Sequence, residues 1–295
     1  MWGTLLQTDA NRGDPVAAQI LSYAVAKAHP ATAPLPESMT VKLQLGGFRV
    51  AILPPDCNGR EEMIRTACKT ANADPVFLTV PQFGSHQVFN ARNFPVAIQA
   101  VSDERFICSY LVPNDGDEAL KRYLREGGTL IVCQHATAFG YEMVYQAGKW
   151  KSRSPQRFAS MAFELGFETA MGFEKPDAPT SLQLTNDGRK LWLDLPQALA
   201  MDYLSDQRWR SLIPYRSSAA RRFTPLAYLN RPDGSHYPGL AAAMIDFQDS
   251  EFGGARLFYL WGNMVEGTVG EKMLAGCLRR VQTNPVTQFH RRPPP

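Results

Sequence analysis

Asp115–Tyr141 reads DGDEALKRYLREGGTLIVCQHATAFGY. Asp117 and Glu118 open a helix, and Lys121, Arg122 and Arg125 close it, the order that a helix dipole favours. Leu120, Tyr123 and Leu124 recur at helical spacing and form its apolar stripe. Gly127 is placed for a left-handed C-cap, which releases the chain into a buried strand, Thr129–Cys133. A loop carrying His135 follows. This is the C-terminal half of a βαβ unit, and open α/β sheets bind ligands at the carboxyl ends of their strands.

The flanking segments extend the pattern. Phe48–Leu53 (FRVAIL) predicts a buried strand, Pro54–Gly59 a turn, and Arg60–Asn72 a helix burying Met63, Ile64, Ala67 and Cys68. Asp74-Pro75 reads as punctuation, Val76–Val80 as a second strand, Pro81–Asn93 as polar loop and Pro95–Val101 as a third strand. Phe106–Val112 reads as either a short strand or a loop. Ser154-Pro155 opens a further helix with Phe158, Met161, Ala162 and Leu165 on one face. Residues 174–222 read as a long insertion with little regular structure, a kind of segment more often functional than idle. Phe223–Leu229, an Asp233-Gly234 turn and Leu240–Phe247 predict a hairpin. Arg256–Trp261 (RLFYLW) is a strong strand, and Glu271–Val281 a helix. The expected fold is α/β: a three-layer, flavodoxin-like sandwich, mostly parallel, with antiparallel strands added near the C-terminus.

Residues 1–30 repeat the closing strand–helix layout. Leu5-Leu6 matches Phe258-Tyr259, and Ile20-Leu21 matches Met273-Leu274. Two readings stand: the end of a preceding, similar domain, or a helical extension packed on the sheet. Residues 31–47 read as a linker, 48–285 as the main domain and 286–295 as a disordered tail.

Composition bounds the function classes. The chain has 295 residues, 44% hydrophobic and 20% charged, enough for a sizeable core. Its net charge is +3, and the pairs Arg221-Arg222, Arg279-Arg280 and Arg291-Arg292 are scattered rather than clustered. Neither nucleic acid nor a membrane surface is expected as a partner. Five cysteines, an odd number at wide spacing, form no CxxC pair and no Cys/His cluster of zinc spacing, so free thiols and no metal are expected. No glycine-rich phosphate fingerprint points to a nucleotide, and no cofactor is expected. The opening lacks a signal-peptide pattern, so the chain as written reads as cytoplasmic; this changes if it is a piece of a secreted protein.

Phe94–Gln99, the DGDEALKRYLREGGTLIV stretch and the closing GGARLFYLWGNM together resemble the class I glutamine-amidotransferase-like superfamily. The resemblance spans about residues 48–282 and is nearest to domains appended to large bacterial glycoside hydrolases, such as the β-galactosidase trimerisation domain. It implies a flavodoxin-like fold and an accessory or assembly role in a carbohydrate-active protein. The implied partners are an adjoining glycosidase catalytic domain, a second copy, or carbohydrate. Catalytic members of the superfamily hold a nucleophilic cysteine in a G-x-C-x-G elbow and carry a late His-Pro-Glu. Here Ile131-Val132-Cys133-Gln134-His135-Ala136 has no flanking glycine, and only Ser235-His236-Tyr237-Pro238 stands for the late motif.

Candidate sites follow from chemistry. Cys133 would be a nucleophile given a base and an oxyanion hole, with His135 or His236 as base and Glu104 or Glu142 as orienter. The blander reading is a core cysteine beside a loop histidine. Asp56, Cys57, Asn58 and Gly59 form the loop after the first strand and would bind an anion at the next helix's start; they equally suit a plain turn. Asp202, Asp206, Arg208, Trp209 and Arg210 mix aromatic and charged groups as carbohydrate sites and interfaces do, or else clamp the insertion with ion pairs.

Overall fold

The computed structural model describes residues 48–54, 59–100, 105–106, 115–134, 141–146, 149–152, 167–170, 181–200, 211–214, 221–249, 251–261 and 264–284. In chain order these form β1 (Phe48–Ile52), α1 (Glu61–Thr70), β2 (Ala73–Phe77), α2 (Val80–Gly84), β3 (Val96–Gln99), β4 (Arg105–Phe106), α3 (Asp115–Arg125) and β5 (Thr129–Gln134). Then follow β6 (Tyr141–Gln146), β7 (Lys149–Ser152), β8 (Phe167–Ala170), β9 (Ser181–Leu184), α4 (Asn186–Leu191), β10 (Ala198–Ala200) and β11 (Ser211–Pro214). The last elements are β12 (Arg221–Asn230), β13 (Ala242–Phe247), β14 (Arg256–Trp261) and α5 (Gly267–Thr283).

Nine strands make one sheet in the order β10-β9-β12-β13-β14-β5-β3-β1-β2. The five strands from β2 to β14 are parallel, and those from β14 to β10 pair antiparallel. Numbered within the parallel part alone, their spatial order is 2-1-3-4-5, the flavodoxin-like arrangement. β5 and β14 lie where both faces are covered. Arg256–Trp261 is accordingly buried at every position, which is why it reads as a continuous apolar run.

Two cores flank the sheet. Val50, Ile52, Ile98, Ile131, Cys133 and Leu260 pack against α1, α4 and α5 on one face. Ala51, Ala97, Leu130, Val132 and Tyr259 pack against α2 and α3 on the other. Gly127 takes φ +87° at the end of α3, as a left-handed cap requires. Gly128 has a different reason: a Cβ there would strike the Tyr123 ring. The Tyr123 hydroxyl lies 3.0 Å from the carbonyl oxygens of both Phe94 and Thr129, tying α3 to the start of β5.

Three local expectations are corrected. β2 begins at Ala73, three residues early, and includes Asp74-Pro75. It is an edge strand, where proline's missing N–H leaves no ladder bond broken. That strand also stops at Phe77 rather than Val80; Thr79 caps α2, which starts at Val80 and runs into the segment read as polar loop, with a capping box between Thr79 and Gln82 and proline in the first turn. Within 174–222, β9 and β10 join the main sheet rather than forming irregular structure. The segments 1–30 and 31–47, the Ser154-Pro155 helix and the tail 286–295 lie outside the described residues.

Candidate functional site

The carboxyl edge of the parallel strands is the place to look for chemistry, and Arg60 occupies it. The residue sits at the N-cap of α1, directly after Gly59, whose φ of +77° turns the chain into the helix. Arg60 is 4% exposed. Its Nη1 lies 3.4 Å from the carbonyl oxygen of Ala100, just past β3, and 3.4 Å from that of Cys133 in β5. Its Nε donates to Glu266 Oε1 at 3.2 Å, and Nη2 also pairs with that oxygen. Glu266 is the N-cap residue of α5. One guanidinium therefore joins two strand ends and two helix starts. Strand-end carbonyls carry partial negative charge, and a buried cation needs that compensation together with its carboxylate.

Cys133 lies beneath this ion pair and is fully buried. It packs in the α1/α5 core with Ile131, Leu260, Met273 and Cys277. Burial pushes its thiol up from 9.0 to about 12; the Arg60 charge opposes the rise and Glu266 adds to it. Cys68 is also pushed up to about 12, by burial and the Asp74 charge, and Cys277 is pushed up by burial. An activated thiolate requires a depressed pKa instead.

His236, one of the two candidate bases, is held elsewhere. Its Nδ1 bonds Asn230 Oδ1 at 2.6 Å, and its ring stacks on Tyr228 at 4.8 Å. It bridges to Asn230 on β12, three strand positions from β5. At about 4.8 Å per strand that is roughly 14 Å, well beyond hydrogen-bond reach of Cys133. His135, Glu104, Asp56, Cys57, Asn58, Asp202, Asp206, Arg208, Trp209 and Arg210 lie outside the described residues, as does the side chain of Glu142. Of the anion-loop candidates only Gly59 is described, in the turn before Arg60.

Arg60 and Glu266 escaped the sequence reading because 206 residues separate them. Gln99 had a signal: it is the polar residue in the run PVAIQAV. It is fully buried on the Ala97 face of β3, and among the described residues neither its Oε1 nor its Nε2 finds a partner. Among these residues no group of His, Cys, Asp or Glu could hold a metal ion. Among the described residues no helix is long and apolar enough to cross a membrane.

No protein-family model matches the sequence, and no curated protein matches it. Solved structures do resemble it. One is Agd3, a carbohydrate deacetylase, at 10% identity and a TM-score of 0.45 over 79% of this chain. The chain spans 32% of the length of that deacetylase. A glutamine amidotransferase from Thermotoga maritima aligns over 81% of this chain and 85% of its own, at 11% identity and a TM-score of 0.38. The mmIFT52 N-terminal domain aligns over 82% of this chain and all of its own, at 14% identity and a TM-score of 0.45.

Proposed function

We propose that this chain is a non-catalytic, amidotransferase-like domain serving assembly or substrate positioning in a larger, carbohydrate-active protein. The observation that carries the non-catalytic part is Cys133. The one cysteine at the end of a central parallel strand has no exposed surface, faces the α1/α5 core and has its thiol raised by burial. Nucleophilic catalysis needs a thiolate with a base in reach and room for a substrate carbonyl. The guanidinium of Arg60, bonded to two carbonyls and Glu266, occupies part of the edge next to Cys133. The accessory role and the carbohydrate context rest on the likeness of the 94–99, 115–132 and 253–264 stretches to domains appended to glycoside hydrolases.

The competing reading is a cysteine-dependent hydrolase or amidotransferase using Cys133. Purified protein given glutamine, or simple amides and esters, is expected to release product no faster than buffer. Turnover that disappears in Cys133→Ala would establish the competing reading instead. For the assembly role, light scattering over a concentration series is expected to show self-association, or a complex with a co-expressed glycosidase catalytic domain. A strictly monomeric, partnerless chain would count against it.

A further inference from the structure

Arg222, from one of the arginine pairs in the sequence, and both members of another, Arg279 and Arg280, line one cavity. A cavity of about 520 Å³ opens between α4, α5 and the β12–β13 ribbon, at the amino edge of the parallel strands and so away from Arg60. Arg222, Thr224 and Leu226 of β12 and Met244 and Asp246 of β13 form its floor, and Arg279 and Arg280 of α5 form one wall. Leu191 and Leu193 line the α4 side. Leu193 is 81% exposed, the sole exposed large hydrophobic residue among those described.

The charges in this cavity do not cancel. Asp187 pairs with Lys190 at 3.1 Å, Asp194 with Arg279 at 3.8 Å, and Asp246 with Arg256 at 2.6 Å. Each carboxylate in the lining thus has its own cation. Arg222 and Arg280 remain, and among the described residues neither has a carboxylate partner. Their sequence neighbours differ: Arg221 is taken by Asp249 at 2.8 Å and Arg279 by Asp194. Arg280 lies in the last turn of α5, where a helix dipole favours a cation. Arg222 is in a strand and has no such reason. It sits directly across from Asp246, whose other cross-strand neighbour is Arg256, so two arginines flank one aspartate already taken.

We infer that this cavity binds a small organic anion, a carboxylate or phosphate head on a compact body. The head would lie between Arg222 and Arg280, whose guanidinium groups suit the two-oxygen face of either group. The body would lie over Thr224, Leu226 and Met244, under the lip at Leu193. The volume falls in the range of small-molecule sites, and the lining mixes the apolar Leu226 and Met244 with convergent charged groups. This inference does not depend on the role of Cys133.

The test uses the full chain with inorganic phosphate, glucose 6-phosphate and glucuronate as probes at ~10 mM, and glucose as the uncharged control, read by thermal unfolding and calorimetry. At least one anionic probe is expected to raise Tm while glucose does not. Phosphate-bearing probes acting alone assign a phosphate head, and glucuronate acting alone a carboxylate. The Arg222→Gln/Arg280→Gln double variant is expected to bind about tenfold more weakly or worse. Arg222→Gln alone, at an exposed strand position, gives the same readout should the double variant fold poorly. No shift with any anion, an equal shift with glucose, or a shift that survives both substitutions overturns the inference.

Discussion

Arg60 Nη1 stands 3.4 Å from the carbonyl oxygen of Cys133, so the residue at the end of β5 is roofed by a buried cation rather than opened to solvent. The same guanidinium reaches Ala100 and Glu266. Removing it should leave buried acceptors without a donor. Arg60→Met is therefore expected to lower unfolding free energy by about 2–4 kcal/mol in urea titration, the range for breaking a buried, hydrogen-bonded charge pair. Glu266 is half exposed, and Glu266→Gln should cost under about 1 kcal/mol. Equal costs for the two would contradict a buried, carbonyl-anchored arginine.

The raised thiols predict a pH dependence. A cysteine whose folded pKa lies above its unfolded value favours folding fully while both forms are protonated, and that contribution is lost once the unfolded chain ionises first. For Cys133 and Cys68 the window runs from 9.0 to about 12. Tm should be nearly flat up to about pH 8 and fall beyond about pH 9, with a shallower fall in Cys133→Ala. Identical slopes in scanning calorimetry would contradict the burial of this thiol.

Two glycines let α4 close one side of the anion cavity. A Cβ on Gly188 would strike the backbone carbonyl of Leu226. One on Gly276 would lie 2.6 Å from Trp192 Cδ1 and 2.7 Å from the Leu191 carbonyl oxygen. The Trp192 indole meanwhile donates to the Met273 carbonyl oxygen at 3.0 Å. Gly188→Ala and Gly276→Ala should each cost about 1–3 kcal/mol by denaturant titration, as overpacked sites do. Gly234→Ala is the comparison: nothing lies within 4 Å, and only its φ of +82° resists the change, so about 1 kcal/mol is expected.

Tyr123 anchors the opening of β5. Tyr123→Phe keeps the ring that covers Gly128 and loses the hydroxyl shared by Phe94 and Thr129. The expected cost is about 1–2 kcal/mol, with cooperative unfolding retained. A neutral result would mean that another donor serves those carbonyls.

The central stretch was readable because several local signals agree there: ordered charges on α3, an apolar stripe, a glycine cap and a β-branched strand. β14 was readable for a similar reason, being apolar on both faces. Elsewhere a single local signal carries more than one meaning. Asp74-Pro75 means a break in most contexts, but an edge strand accommodates it. Thr79 and Gln82 form a capping box across the boundary between a stretch that reads as strand and one that reads as polar loop. Ser181–Leu184 alternates buried and half-buried positions, a strand pattern that the surrounding prolines and aromatics obscured. The Arg60–Glu266 pair and the convergence of Arg222 with Arg280 had no local signature, because each joins residues that only the folded sheet brings together.

Native-state alkylation tests the account most directly. Iodoacetamide labelling, followed cysteine by cysteine with peptide mass spectrometry between about pH 6 and about pH 9, reads both access and thiolate character. Cys133 is predicted to stay unlabelled across this range and to react fully once the chain is denatured. Rapid labelling of Cys133 in the folded chain at or below about pH 7 would contradict the account.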